Sequence, residues 1–319
     1  MATLAAELGA RLRDRDLTAA PEVLNLVETT GPAARGDVAQ LLRAVAPAAL
    51  GGEAPAHVVG VTGPPGAGKS TLLSELVRAW RAAERSVAVL AIDPSSRRSG
   101  GALLGDRARI AFDPEDERVF IRSTAAAGRL GGLAPATRAA AQALAAAFDV
   151  VVVETVGVGQ SETDVAEVAD TVAVVVQPSS GDVLQFLKSG IMEIPDVLVV
   201  TKADLGDVAA RSRRDLHAAL RAIGEAGTPV VAVSAIPPAQ GIDELVAALD
   251  EHRSRLDLSA RRLAARRASA LADYLAEHGD RGLRALGGRR AAQQLLAEQD
   301  PGADVPSLAG ALEAKAARA

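Results

Sequence analysis

The spacing of apolar positions along this chain changes twice. Up to about residue 55, apolar residues recur every three to four positions. Leu4, Leu8 and Leu12 come first, then Val23, Leu24 and Val27, then Val38, Leu41, Leu42 and Val45. That spacing lines one face of a helix. Gly51-Gly52 and Pro55 mark a loop. From residue 57 to about 235 the pattern becomes short β-branched runs: Val58 to Thr62, Val87 to Ile92, Val119 to Arg122, Val150 to Glu154, Val172 to Gln177, Val197 to Thr201 and Val230 to Val233. Several are apolar without alternation, as expected of strands buried on both faces. Their alternation with helical stretches predicts a mostly parallel α/β sheet. From Ile242, Leu245, Val246 and Leu249 onward the helical spacing returns. The tail is then cut at Gly279, Gly282, Gly287-Gly288 and Pro301-Gly302. The pattern therefore divides the chain into a helical extension over 1–55, an α/β domain over 56–250 and a helical region over 251–319.

Composition narrows what such a chain can do. Hydrophobic residues make up 49% of 319 positions but aromatics only 2%, so the core must be built of Ala, Val and Leu. The net charge of −5 offers no overall basic field for nucleic acid. With no cysteine, disulfides, thiolate metal sites and thiol nucleophiles are excluded. His57, His217, His252 and His278 are scattered without ligand spacing and read as packing or surface residues. The first residues, MATLAAELGARLRDRDL, carry charges that interrupt any secretory apolar core. No stretch reaches the roughly 18 uncharged apolar residues of a membrane span. The expectation is a cytoplasmic protein with neither membrane nor nucleic-acid partner. Arg261, Arg262, Arg266 and Arg267 form a basic stripe at helical spacing. It reads as a solvated helix face, with a partner or dimer surface as the alternative.

Chemistry concentrates where the first β-branched run ends. His57 to Leu73 reads HVVGVTGPPGAGKSTLL, which places G-x-x-x-x-G-K-S between a strand and a helix. Its elements are Gly63, Pro64, Pro65, Gly66, Ala67, Gly68, Lys69, Ser70 and Thr71. Glycines let successive N–H groups turn inward around an anion, and the helix after them adds the positive end of its dipole. Lys69 can reach the β- and γ-phosphates of a nucleotide, and the Ser70 hydroxyl can ligate Mg²⁺.

In a parallel sheet, ligands lie at the carboxyl ends of the strands, so the residues after each run matter. The second run leads to Asp93, with Asp106 thirteen residues on. Mg²⁺ prefers hard oxygen ligands and keeps several waters, so carboxylates are expected nearby. Glu154 ends four consecutive valines, and Gly157 follows three residues later. This is the position of a metal-side acid and a γ-phosphate-sensing glycine. Val158 stands directly after that glycine, with Gln160 two further on. A valine cannot orient water, which predicts slow intrinsic turnover that a partner accelerates. Thr201-Lys202-Ala203-Asp204 resembles the guanine signature N-K-x-D, with Thr in place of Asn. A carboxylate accepts both parallel donors of guanine, and the Lys202 stem can cover the base. Ser234-Ala235 offers a backbone N–H to the guanine carbonyl.

The runs GVTGPPGAGKSTL, AIDPSSRRSGGALLGDRARI, VVVETVGVGQSE and QPSSGDVLQFLKSGIMEIPDVLVVTKAD resemble the MeaB/ArgK family over about residues 20 to 290. That family includes relatives of the methylmalonic aciduria type A protein, and similar sequences carried the older name LAO/AO transport ATPase. The resemblance implies a SIMIBI-like P-loop G domain with helical N- and C-terminal extensions. It implies a homodimeric GTPase chaperone that gates cofactor loading, and protects or reactivates, an adenosylcobalamin-dependent acyl-CoA mutase, most commonly methylmalonyl-CoA mutase. GTP or GDP and Mg²⁺ would be its ligands, with no cobalamin held directly. Carried over by position, Ser70, Asp93, Asp106 and Glu154 would surround Mg²⁺, and Lys69 and Gly157 would act on the phosphates. Thr201, Lys202, Asp204, Ser234 and Ala235 would hold guanine. Gln160, Asp182, Gln185 and Lys188 would face the partner, the last three within a switch loop over 177–188, and 251–319 would serve dimerisation or partner contact. This sequence departs from the family pattern at Thr201, at Ser179, where glycine is common, and in a tail lacking Trp. A nickel-type metallochaperone GTPase and a transport-linked ATPase or kinase are the alternatives. The first needs Cys/His clusters that this chain lacks. The second has no reason to carry TKAD. A nucleotide-bound scaffold without turnover remains open on Val158.

Overall fold

A computed structural model describes residues 3–29, 31–94, 110–126, 133–155, 165–178 and 195–318, with the backbone alone at 32, 33, 93, 94, 125 and 126. The element order is α1 (Leu4–Arg13), α2 (Ala20–Glu28), α3 (Pro32–Ala44), α4 (Pro47–Leu50), β1 (His57–Thr62), α5 (Lys69–Ala82), β2 (Val87–Pro94), β3 (Val119–Ala126), α6 (Pro135–Leu144), β4 (Val150–Thr155), β5 (Thr171–Val176), β6 (Val197–Val200), α7 (Asp207–Ala222), β7 (Val230–Ala232), α8 (Ile242–Arg255), α9 (Leu258–Ala285), α10 (Arg289–Ala297) and α11 (Val305–Ala316). All seven β-branched runs are strands. The third is longer than its pattern suggested: Ser123 to Ala126 continue in register against Ala91 to Pro94 of β2. No helix among the described residues is long and apolar enough to cross a membrane.

The chain gathers into two compact units, residues 57–134 with 148–256, and residues 1–56 with 135–147 and 257–319. The first holds the sheet, in the order β3-β2-β4-β1-β5-β6-β7, with every pair parallel. β1 is central, so the loop leaving it opens between the ends of β4 and β5. Val59, Val61, Val89, Val152, Val175 and Val199 point to one face and meet Leu72, Leu73, Leu76 and Trp80 of α5 and Leu245 and Leu249 of α8. Near-continuous valine is what a doubly covered parallel sheet requires, and β-branched side chains suit the pleat.

The amino ends of the strands rest on a polar floor. Asp170 Oδ2 accepts from Val58 N at 2.8 Å, and Asp196 Oδ2 accepts from Val172 N at 2.8 Å. Buried His57 places Nε2 2.8 Å from the Thr171 hydroxyl, which lies 2.9 Å from Nδ1 of His252. A hydroxyl has one proton, so Thr171 donates to one ring and accepts from the other. His57 Nδ1 is 3.5 Å from Asp250, whose carboxylate takes two hydrogen bonds from Arg85 at 2.9 and 3.0 Å. Burial holds the His57 imidazole below the usual histidine range, against the pull of Asp250. Burial also pushes the Asp250 carboxyl up, but hydrogen bonds from His57 and Arg85 outweigh it and hold it below the usual range.

In the second unit, Tyr274, Leu271, Leu296, Leu308 and Leu312 form the core shared by α9, α10 and α11. The α9 helix is broken at Gly279, which takes φ 57°. The arginine stripe on α9 is not the solvated face its spacing suggested. Arg262 donates to Ala54 O and Ala56 O, each at 2.7 Å. Arg266, 8% exposed, makes a two-pronged bond to Glu53 at 2.9 and 3.0 Å and donates to Pro301 O. Arg267 donates to Ala297 O. These guanidiniums fasten the loop before β1 and the loop before α11 to α9. The planar fork suits several carbonyls at once, which an ammonium could not match. The two terminal stretches, 1–56 and 257–319, thus belong to one unit, along with 135–147.

Candidate functional site

The loop after β1 has its shape fixed by close backbone approach. Gly63 has φ +144°, and a Cβ there would lie 2.1 Å from Val175 O of β5. No side chain fits, so this glycine lets the loop press against its neighbouring strand. Gly66 (φ +78°) and Gly68 (φ +91°) complete the turn. The α5 helix then starts at Lys69 without a side-chain cap, so the amides of its first turn stay available to an anion. Lys69 is buried, and its ammonium donates to Gly63 O at 2.6 Å and Pro64 O at 3.2 Å. Its charge is thereby kept at the mouth of the loop. Pro65, Gly66 and Thr71 are exposed, while Ala67 is buried.

Beside the loop lies the end of β4. Glu154 is 4% exposed, and its Oε1 is 3.5 Å from the Ser70 hydroxyl. A buried carboxylate facing a hydroxyl is a hard-oxygen donor pair that fits Mg²⁺. Asp93 is the penultimate residue of β2, with its backbone in register with Ala125 of β3. Its side chain, together with Asp106, Gly157, Val158, Gln160, Ser179, Asp182, Gln185 and Lys188, lies outside the described residues.

The third part follows β6 and β7. Lys202 takes φ 54° and extends its ammonium to Gln177 Oε1 at 2.6 Å, with Gly66 O at 3.5 Å. Its stem thus spans from the β6 end to the glycine loop. Asp204 is exposed, and its Oδ1 accepts from Ser234 Oγ at 2.8 Å. Ala203 N donates to Val233 O at 3.0 Å, which joins the two loops through the backbone as well. The same Ser234 hydroxyl accepts from Ile236 N at 3.3 Å.

Thr201 carries a role its sequence did not disclose. It is 5% exposed, and its hydroxyl donates to Ala67 O at 2.6 Å, with Val176 O at 3.2 Å. The departure from Asn therefore keeps a side-chain donor on the glycine loop. Thr62 and Thr155, at the ends of β1 and β4, were also missed. Their hydroxyls share a buried 2.9 Å hydrogen bond directly beneath the loop. The available signal was three threonines at three strand ends, but that pattern becomes meaningful only once the strand order places the ends side by side.

A parallel sheet with its glycine loop on the central strand, a lysine and serine opening the next helix, a buried glutamate beside them and an aspartate at the β6 end together define a P-loop nucleotide hydrolase of the G-domain kind. The chain belongs to the MeaB family. Residues 20–281 match the family model described as methylmalonyl Co-A mutase-associated GTPase MeaB, and the protein is a GTPase. A Pyrococcus abyssi protein whose name carries a provisional GTPase assignment is 43% identical over 263 residues, 80% of this chain and 78% of that protein. The Escherichia coli GTPase ArgK is 38% identical over 268 residues, 82% of this chain and 79% of ArgK. The solved structure of a LAO/AO transport system kinase matches at 29% identity with a TM-score of 0.64, over 94% of this chain and 89% of that one.

Proposed function

We propose that this GTPase is a chaperone of an adenosylcobalamin-dependent acyl-CoA mutase, with methylmalonyl-CoA mutase as the first candidate. Its nucleotide state would gate cofactor loading and the protection or reactivation of the mutase. The observation that carries the chemistry is the Ser70 hydroxyl facing the buried Glu154 carboxylate at 3.5 Å, beside Lys69. The partner rests on the family's description as mutase-associated.

In this reading the inward amides of 63–70 and Lys69 bind the β- and γ-phosphates. Ser70 and Glu154, with Asp93 and Asp106, hold Mg²⁺, which when bound neutralises charge on the phosphate oxygens. Water attacks the γ-phosphorus in line, the bond to the bridging oxygen breaks, and GDP and phosphate result. Lys69 stabilises the charge that develops on the leaving oxygens. Asp204 accepts the two donors of guanine, Lys202 covers the base, and Ser234 holds Asp204 in place. Val158 after Gly157 leaves water without a side-chain guide, so basal turnover is slow and the partner supplies the acceleration. Gln160 and the switch loop bearing Asp182, Gln185 and Lys188 carry the nucleotide state to the mutase. The protein acts as a homodimer in the cytoplasm, with the helical tail contributing to the dimer or partner contact.

Two measurements test this. Asp204→Asn should move the preference from GTP toward xanthosine triphosphate, and unaltered GTP affinity in that variant would sink the guanine assignment. Mutase retention on immobilised protein should differ between GDP and a non-hydrolysable GTP analogue. Equal or absent retention of every adenosylcobalamin-dependent acyl-CoA mutase tried would remove the chaperone reading.

A further inference from the structure

Among the described residues, five large hydrophobic side chains stand exposed: Leu4, Leu205, Val208, Ile223 and Ile236. Four of these lie on α7 or on the loops beside it. Leu205 directly follows Asp204, Val208 sits in the first turn of α7, Ile223 caps its end, and Ile236 belongs to the loop whose Ser234 holds Asp204.

The same helix carries an unusual set of charges. Its buried side is Ala209, Ser212, Leu216, Ala219 and Leu220. Arg211, Arg214 and Arg221 follow one outward ridge at helical spacing, and Arg213 stands on the flank, all exposed. None of these four guanidiniums has an ion-pair or side-chain hydrogen-bond partner among the described residues. Several arginines elsewhere are engaged, Arg11 with Asp16 and Glu22, Arg81 with Asp116, Arg85 with Asp250 and Arg266 with Glu53. Arg281, Arg284, Arg289 and Arg290 are exposed like those of α7, but no exposed large hydrophobic side chain accompanies them among the described residues. Only Asp207 and Asp215 oppose them on α7, in a chain whose net charge is −5. The helix dipole favours Arg221 near the carboxyl end but gives no reason for Arg211 and Arg214.

Arginine is enriched at protein contact surfaces, and exposed apolar side chains rimmed by polar residues mark such surfaces. Nucleic acid is disfavoured because the basic ridge is one helix long in an acidic protein. We propose that α7, with Leu205 and Ile236, docks an acidic segment of the mutase partner that also carries apolar side chains, and that docking there controls nucleotide release. The proposal rests on the chaperone reading above. Coupling follows from the connections: Leu205 is one residue from Asp204, and Ser234 Oγ contacts both Asp204 and Ile236 N. A partner seated on Leu205 and Ile236 therefore acts first on the loops assigned to guanine, and reaches the phosphate loop indirectly, through Thr201 and Lys202. Release of GDP is the step this surface governs most directly.

The test uses the full chain and purified methylmalonyl-CoA mutase. The triple variant Arg211→Glu/Arg214→Glu/Arg221→Glu and its neutral counterpart with Gln at the same positions are compared with the unaltered protein. Readouts are mutase affinity at low and high salt, release of a fluorescent GDP analogue with and without mutase, basal GTP hydrolysis and thermal melting. The charge-reversed variant should bind mutase about tenfold or more weakly, with a flatter salt dependence, and the Gln variant should fall between. The mutase effect on GDP release should be lost, while basal hydrolysis and melting stay unchanged in the Gln variant. Leu205→Ser should weaken the effect on release with the arginines intact. If the unaltered protein binds mutase and the variants bind it equally well, this surface is wrong and the chaperone reading stands. If the unaltered protein binds neither methylmalonyl-CoA mutase nor any other adenosylcobalamin-dependent acyl-CoA mutase in either nucleotide state, both fall. Variants that retain mutase but lose anionic phosphatidylserine vesicles would give the ridge to a membrane and overturn the proposal.

Discussion

The two ends of the sheet are made from similar polar residues but differ in how those residues are held. At the amino ends, each carboxylate is committed: Asp170 and Asp196 to backbone amides, Asp250 to Arg85 and His57. At the carboxyl ends the charged groups make contacts that a ligand could replace. Lys69 bonds two loop carbonyls, Glu154 faces Ser70 at the limit of hydrogen-bond distance, and Asp204 takes one bond from Ser234 while remaining exposed. The charged groups of the floor therefore contribute stability, and those of the upper edge are left for chemistry. The same kinds of side chain serve both because their partners decide what they can still bind.

That division can be broken from either end. The largest effect should come from Lys69→Ala. GTP hydrolysis should fall about 100-fold or more by phosphate release, as when a transition-state donor is removed, with little change in melting. A melting loss as large as a floor mutation would contradict the division. Gly63→Ala comes next. Its new methyl would meet Val175 O in a backbone conformation that L side chains rarely adopt, so denaturant unfolding should show a loss of about 3 kcal/mol. Thr201→Val keeps the shape but strips the donor from Ala67 O. It should cost about 1–2 kcal/mol and weaken GTP binding, while Thr201→Asn restores a donor. Asp250→Asn should cost about 1 kcal/mol at neutral pH and leave turnover intact. The smallest effect is pH dependence through His57. Its imidazole is held below the usual histidine value, so the unfolded chain takes up the proton first. The stability of the neutral ring is complete above the ordinary histidine range and declines as pH falls below it. Urea midpoints at pH 8 and pH 5.5 should drop on acidification, and the drop should shrink in His57→Gln. An equal slope in the variant would assign the effect to other groups.

Much of this was readable in advance, for physical reasons. Buried parallel strands must be continuously apolar, so all seven stood out. The places of the glycine loop after β1 and of Asp204 after β6 were legible because each follows a continuous apolar run at a short, fixed offset. Strand order was not legible, since pairing β4 between β1 and β2 is a non-local event that leaves no local pattern. The Thr62–Thr155 bond and the grip of Thr201 on Ala67 depend on that order. The arginines of α9 were misread because spacing gives the face of a helix but not what covers it. Arg262 and Arg266 meet carbonyls and a carboxylate more than 200 residues away. The assignment of 135–147 to the unit of both termini is hidden for the same reason.

The contact of Gly63 with β5 has one more consequence. Because the loop touches Val175 O while Thr201 ties it to the end of β6, its position is gauged from three strands at once rather than from its own helix. A sideways slip of β5 or β6 would misalign the loop even with every loop residue intact. Variants that loosen Val175 or Val199, both buried in the sheet, should then behave like defects in the loop itself, as a worn reference edge spoils every cut measured from it.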